Sequence, residues 1–287
     1  MLAAFPTRRL LLILLAAALV GAAVLAGVVL NRSDGPGRAV APAAVEPPGA
    51  AVEPPGAAVE PPGAAVEPPG PVLIVPGYGG DTVALEPLAD RLRDAGRDAT
   101  VVALPDGGVG DLRGSAAALD AAATAALRRT GATSVDVVGY SAGGLTARLW
   151  VADGHADVVR RVVTLGSPHH GTRLASLTGT YAPERCPEAC RQMAPGSDLL
   201  TELGLDETPE GVDWVSVWTT GDTVVTPPDS ARLDGALNLT VQSVCDGLQV
   251  GHGELPGDPV VQGIVLAQLA AGEPVALTPA DCSRLAG

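Results

Sequence analysis

The segment Gly139-Tyr140-Ser141-Ala142-Gly143 places a serine between two glycines, directly after an apolar run and before a stretch of helical pattern. A strand that turns sharply into a helix projects the residue at the turn, and glycines on either side remove the side chains that would block it. A serine hydroxyl becomes a useful nucleophile only when a base takes its proton and an acid orients that base. The sequence has 4 histidines, and His252, in Gly251-His252-Gly253-Glu254, is the one that follows every plausible acid. Asp222, in Thr219-Thr220-Gly221-Asp222-Thr223, comes just past an apolar run, where it can reach a histidine ring nitrogen. Asp229 and Asp246 are the rival acids; the first begins a possible helical turn and the second adjoins Cys245. An oxyanion formed on an acylated serine needs fixed N–H donors. The backbone of Ala142 supplies one, and Tyr78, in Pro76-Gly77-Tyr78-Gly79-Gly80, is expected to supply the other.

Such residues must be held by a scaffold, and the hydropathy pattern describes one. Short apolar runs at Val72–Val75, Ala99–Leu104, Ser134–Val138, Arg161–Leu165, Trp214–Trp218 and Leu237–Gln242 read as strands. Between them, Thr82–Ala95, Leu112–Thr130, Leu145–Ala152 and Pro259–Ala271 carry helical patterns. Apolar strands alternating with helices predict an α/β fold: a mostly parallel sheet of about six strands, covered by helices on both faces. Functional residues of such a sheet gather past the carboxyl ends of its strands, where Ser141, Asp222 and His252 all fall. The stretch 172–208 shows no period and is expected to be an irregular, short cap carrying Cys186 and Cys190.

Ahead of this domain, expected over residues 71–287, the chain reads as two further segments. Arg8 and Arg9 precede an uncharged run over residues 10–30, about 30 Å long as a helix and enough to span a bilayer core. Residues 1–34 are therefore expected to act as a signal-anchor or, if cut at one of several small-residue sites, as a signal peptide. Within the segment 35–70, residues 43–70 repeat Ala-Ala-Val-Glu-Pro-Pro-Gly, whose paired prolines forbid a coiled coil and favour a semi-extended stalk reaching at most about 85 Å. The domain is thus expected outside the cytoplasm, with a membrane as partner through the N-terminal segment. Cys186, Cys190, Cys245 and Cys282 agree with an oxidising compartment. Of three possible connectivities, Cys186–Cys190 with Cys245–Cys282 is the expected one: a local clamp, and a bridge contributing about 3–4 kcal/mol. Their spacing lacks the paired C-x2-C pattern of a metal site. A net charge of −14 with scattered arginines and no basic stripe argues against a nucleic-acid partner. Oligomeric state is left open.

The ordered set Val75-Pro-Gly-Tyr-Gly-Gly, Gly139-Tyr-Ser-Ala-Gly-Gly, Leu165-Gly-Ser-Pro-His-His-Gly-Thr, Gly221-Asp-Thr-Val-Val and Val250-Gly-His-Gly resembles the secreted bacterial lipases and esterases of the α/β-hydrolase fold. The resemblance spans most of residues 71–271 and implies hydrolysis of a carboxylic ester or lipid through an acyl-enzyme on Ser141, without metal or organic cofactor. It departs at Pro76, where family members usually place histidine. His169 and His170 match a recurring segment of the family and read as structural or pocket-lining. Acyl transfer to an envelope alcohol by the same triad is the alternative enzymatic reading. A catalytically inactive binding protein on this fold is the non-enzymatic one.

Overall fold

The computed structural model describes residues 68–286. The expected anchor and nearly all of the repeat stalk lie outside the described residues. Among the described residues, no helix is long and apolar enough to cross a membrane.

Six strands form one sheet in the order β2-β1-β3-β4-β5-β6, every neighbouring pair parallel. They are β1 (Val72–Val75), β2 (Ala99–Val101), β3 (Val135–Tyr140), β4 (Val159–Leu165), β5 (Asp213–Trp218) and β6 (Leu237–Thr240). In β1 all four residues are buried, as a strand covered on both faces requires. Val72 and Ile74 point into one core with helix α1 (Glu86–Asp94) and the late helix α8 (Pro259–Gln268). Leu73 and Val75 point into a second core against α2 (Leu112–Thr130) and α3 (Ala142–Trp150). Side-chain alternation along each strand thus supplies both layers.

The elements depart from the hydropathy reading at several boundaries: β4 begins at Val159 rather than Arg161, α1 begins at Glu86 rather than Thr82, and α8 ends at Gln268 rather than Ala271. Strand β2 ends at Val101 rather than Leu104. Strand β3 runs two residues further than expected, through Gly139 and Tyr140, which pair with Thr164 and Leu165 of β4. Helix α3 begins at Ala142, immediately after the serine. Strand β6 stops at Thr240, whose side chain accepts a hydrogen bond from the Ser243 N–H and starts the helical turn α7 (Val241–Val244).

The stretch expected to be irregular is mostly helical. It holds α4 (Arg173–Tyr181), α5 (Glu188–Gln192) and α6 (Asp198–Leu203), and these pack with α3 around a third apolar cluster. Two of these helices are shorter than two turns, too short for a period to show in sequence. Arg148 of α3 is buried and donates to the carbonyls of Leu203 and Glu207, closing the end of α6 onto the body of the domain. Burial draws its guanidinium down to about 10, so it stays charged at neutral pH. Both expected disulfides are present. Cys186–Cys190 clamps the entry to α5, and Cys245–Cys282 joins the end of α7 to the final helix α9 (Cys282–Leu285).

At the opposite end of the sheet from the serine, charged groups take the place of apolar packing. Asp136 in β3 is fully buried and accepts hydrogen bonds from Arg97 and Arg160 at 2.6–2.9 Å. The same two arginines donate to the Leu269 carbonyl, and Arg160 also to that of Ala270, so the unpaired end of α8 is satisfied there. Removing one partner of a buried pair costs far more than the pair contributes. Asp136→Asn is therefore expected to lower stability in urea by about 3–5 kcal/mol. A loss below about 1 kcal/mol would show that these arginines do not depend on the carboxylate.

Candidate active site

Ser141 occupies the single-residue turn between β3 and α3, with φ 53° and ψ −123°. This is a left-handed conformation that an L-residue adopts only when its surroundings impose it, at a cost of about 1–3 kcal/mol. The surroundings here are backbone packed on backbone. A Cβ on Gly139 would stand 2.6 Å from the Gly144 Cα, and one on Gly143 would stand 2.2 Å from the Val75 carbonyl oxygen. The Ser141 N–H donates to the Leu165 carbonyl at 2.8 Å, which fixes the turn to β4 as well.

The acid and base arrive from the next strands. Past β5, the loop 219–225 turns Asp222 inward, and the Val224 and Val225 N–H groups both donate to its Oδ1 at 2.8 Å. Its Oδ2 lies 2.7 Å from His252 Nδ1, and His252 Nε2 lies 3.0 Å from Ser141 Oγ. With a carboxylate at Nδ1, that nitrogen carries the proton and Nε2 is left to accept from the serine hydroxyl. All three side chains are buried. Asp229 and Asp246, the rival acids, are exposed. Tyr140 backs the histidine: its hydroxyl donates to the His252 carbonyl at 3.1 Å, and its ring stands 5.3 Å from the imidazole. Burial, reinforced by the charges of Asp222 and Asp81, raises that phenol to about 12, so it remains a donor.

The other expected site residues surround the serine. Tyr78 lies in a turn closed by the Gly80 N–H on the Gly77 carbonyl at 3.0 Å. It shares with Ser141 the lining of a mainly apolar cavity of about 170 Å³, together with Leu174, Ala175, Met193 and Val225. Ala142 is the first residue of α3, so its N–H has no acceptor within the helix. Cys190 contributes to the same cavity, which places the Cys186–Cys190 clamp in its wall. A larger groove of about 350 Å³, lined by Arg113, Asp120, Trp150 and His155, includes none of the three catalytic candidates. Among the described residues, no group of three or more His, Cys, Asp or Glu side chains is placed to hold a metal ion.

His169 and His170 take different places. His170 is partly exposed and bonds Glu207 at 2.7 Å. His169 is buried against β4 and β5, where the Ser216 hydroxyl donates to the Ala231 carbonyl and the Thr164 hydroxyl donates to Ser216. His169 Nε2, 3.1 Å from Thr164 Oγ1, must then be the donor, and its Nδ1 has no partner. Burial, with the nearby charge of Arg148, holds this imidazole neutral well below its usual range.

Sequence reasoning passed over Gly166, which has φ 55° and lies against the acid–base pair. A Cβ there would stand 2.7 Å from Leu255 Cδ1, 3.3 Å from His252 Nδ1 and 3.4 Å from Asp222 Oδ2. Its signal was available in the Leu165-Gly166-Ser167 step, a glycine directly after an apolar strand.

Residues 70–185 match the family model described as the alpha/beta hydrolase fold. A triacylglycerol lipase of Pseudarthrobacter phenanthrenivorans is 45% identical over 51 residues, 18% of this chain and 16% of that one. The chain thus spans about a sixth of that relative's length. Aspergillus fumigatus lipase B superposes with a TM-score of 0.62 at 20% identity, over 76% of this chain and 57% of the other. The mature form of Bacillus licheniformis lipase BlEst2 superposes with a TM-score of 0.57 at 20% identity, over 72% and 96%. The chain has the α/β-hydrolase fold.

Two substitutions test the site. Gly166→Ala is expected to slow the reaction of Ser141 with a fluorophosphonate at least tenfold while the protein stays folded; an unchanged labelling rate would mean that the pair tolerates displacement. For His169, the folded state resists protonation that the unfolded chain accepts below about pH 6.5. The stability it contributes is full above that pH and falls by up to about 1.4 kcal/mol per unit below it. His169→Gln should flatten the stability–pH curve between pH 6.5 and 4.5 by about that slope, and an unaltered slope would show that His169 is not buried in its neutral form.

Proposed function

We propose that the protein is a serine carboxylic-ester hydrolase of the lipase and esterase type, acting outside the cytoplasm. The observation that carries this is the unbroken chain Ser141 Oγ–His252 Nε2 (3.0 Å) and His252 Nδ1–Asp222 Oδ2 (2.7 Å), ending at an apolar cavity. Ser141 Oγ attacks the ester carbonyl carbon as its proton passes to His252 Nε2, and the carbonyl electrons move onto oxygen. The backbone N–H groups of Tyr78 and Ala142 receive that oxyanion. Asp222 offsets the imidazolium charge without taking its proton, and its own plane is set by the two N–H groups on Oδ1. Collapse expels the alcohol, which takes the proton from His252. The histidine then takes a proton from a water whose oxygen attacks the acyl carbon, and returns it to Ser141 Oγ as the C–Oγ bond breaks and the acid leaves.

The cavity supports a preference within this class. At about 170 Å³ it is below the range of about 300–1,000 Å³ usual for drug-sized ligands, so it suits a short to medium acyl group. Leu174, Leu177 and Tyr181 of α4 are exposed along one face of the cap helix, an apolar approach for a water-insoluble ester. The two disulfides agree with an oxidising compartment. The N-terminal run over residues 10–30 would hold the domain at a membrane or direct its secretion.

Incubation with p-nitrophenyl esters from acetate to palmitate tests the reading. Serine-dependent release is expected, highest for short to medium chains. Ser141→Ala should reduce it to background, and Asp222→Asn should lower kcat by about 10³–10⁴-fold. No release by folded wild-type protein would overturn the hydrolase reading, and accumulation of a new ester when an alcohol is supplied would move it to acyl transfer.

A further inference from the structure

The acid and the base sit on separate loops, and their 2.7 Å contact depends on how those loops are held to each other. Outside the triad, one side-chain pair joins them. Gln242, in α7, accepts from the Thr220 N–H at its Oε1 (3.0 Å) and donates from its Nε2 to both Thr219 Oγ1 and the Leu248 carbonyl (3.0 Å each). Thr219, fully buried at the end of β5, donates its hydroxyl proton to the Val250 carbonyl at 2.7 Å and accepts from the Gly221 N–H at 3.2 Å.

Every proton in this group is accounted for. The threonine hydroxyl has one, and it goes to Val250. Gln242 Nε2 has two, one for Thr219 and one for Leu248. The amide cannot be reversed, because that would set its oxygen against the Leu248 carbonyl and its NH₂ against the Thr220 N–H. A fully satisfied network with one allowed orientation fixes position, whereas a partly satisfied one does not. Its anchor points are close to the chemistry: Thr219 precedes Asp222 by three residues, and Val250 precedes His252 by two. The far end of α7 is itself held, since Cys245 is bridged to Cys282.

We propose that Gln242 and Thr219 are positioning residues that set the separation of Asp222 and His252, so that their loss lowers the basicity delivered to Ser141 rather than only the stability of the fold. This rests on the hydrolase reading above. Neither side chain touches the reacting atoms; they act through the placement of the two loops. Misplacement of a catalytic group by a fraction of an ångström to an ångström lowers turnover by about one to two orders of magnitude.

The test uses full-length protein carrying Thr219→Val, Thr219→Ser, Gln242→Leu or both Thr219→Val and Gln242→Leu. It reads kcat and KM on a short p-nitrophenyl ester, the pH profile of kcat/KM, and thermal unfolding. Thr219→Val and Gln242→Leu should each lower kcat by about tenfold with KM within about twofold, and shift the acid limb of the profile. Thr219→Ser, which keeps the hydroxyl, should restore kcat. The double variant should be little worse than either single one, because both break the same unit. Unchanged kcat and pH profile with only a lowered unfolding temperature would overturn the proposal, as would fully additive losses. Gln242 is only half-buried, so Gln242→Leu decides the matter if Thr219→Val does not fold. Absence of serine-dependent hydrolysis in the wild type would instead count against the hydrolase reading, while an active wild type with indifferent variants counts against the positioning role of Gln242 and Thr219 alone.

Discussion

Helix α3 begins at the residue after Ser141, and this is possible only because nothing larger than hydrogen stands between its first turn and the strands beneath it. Gly139 faces Gly144, and Gly143 lies on the carbonyl of Val75. That contact forces Ser141 into a left-handed backbone conformation and spends about 1–3 kcal/mol of strain to do so. In return the hydroxyl stands at the carboxyl end of the central strand, beside the first N–H groups of a helix. The sheet order makes this position central as well: β1 and β4 flank β3, so loops from both sides converge on the serine.

The remaining parts of the site come from strands further along the sheet and are fixed by polar rather than apolar contacts. Asp222 is held by two backbone N–H groups, and His252 by its own carbonyl on the Tyr140 hydroxyl. Gly166 leaves the space in which the pair meets. Loops cannot rely on periodic packing for their shape, so hydrogen bonds with a single allowed orientation set it for them. The same division appears at the other end of the sheet, where Asp136 holds Arg97 and Arg160 and these two arginines satisfy the terminus of α8.

The cap shows how a third core can form from elements too short to stand alone. Helices α5 and α6 would be marginal in isolation. They persist through Leu199, Leu200 and Leu203 packing on α3, through the Cys186–Cys190 clamp and through Arg148 on the end of α6. Since Cys190 and Met193 also line the cavity beside Ser141, the stability of the cap and the shape of the cavity are one problem.

Much of this protein is legible in its sequence where the pattern is periodic or the residue type is rare. Alternating apolar runs define a parallel sheet covered on both faces, because strands buried on two sides leave no room for polar residues. The Gly-x-Ser-x-Gly turn and the few histidines point to Ser141 and His252, and a place just past an apolar run favours Asp222 over its rivals Asp229 and Asp246, since few side chains can do that chemistry in that order. The short cap helices α5 and α6 left no such mark, being shorter than the two turns over which a period shows. Nor did the extension of β3 through Gly139, which follows from pairing with β4 and not from hydropathy. Gly166, Tyr140, Thr219 and Gln242 are ordinary residues in sequence and acquire meaning only from what they touch. Local sequence determined which groups are chemically able to act, because that depends on residue type; distances of 3.0 and 2.7 Å between residues 111 and 30 positions apart were decided by tertiary structure, because only packing of the whole sheet brings those loops together.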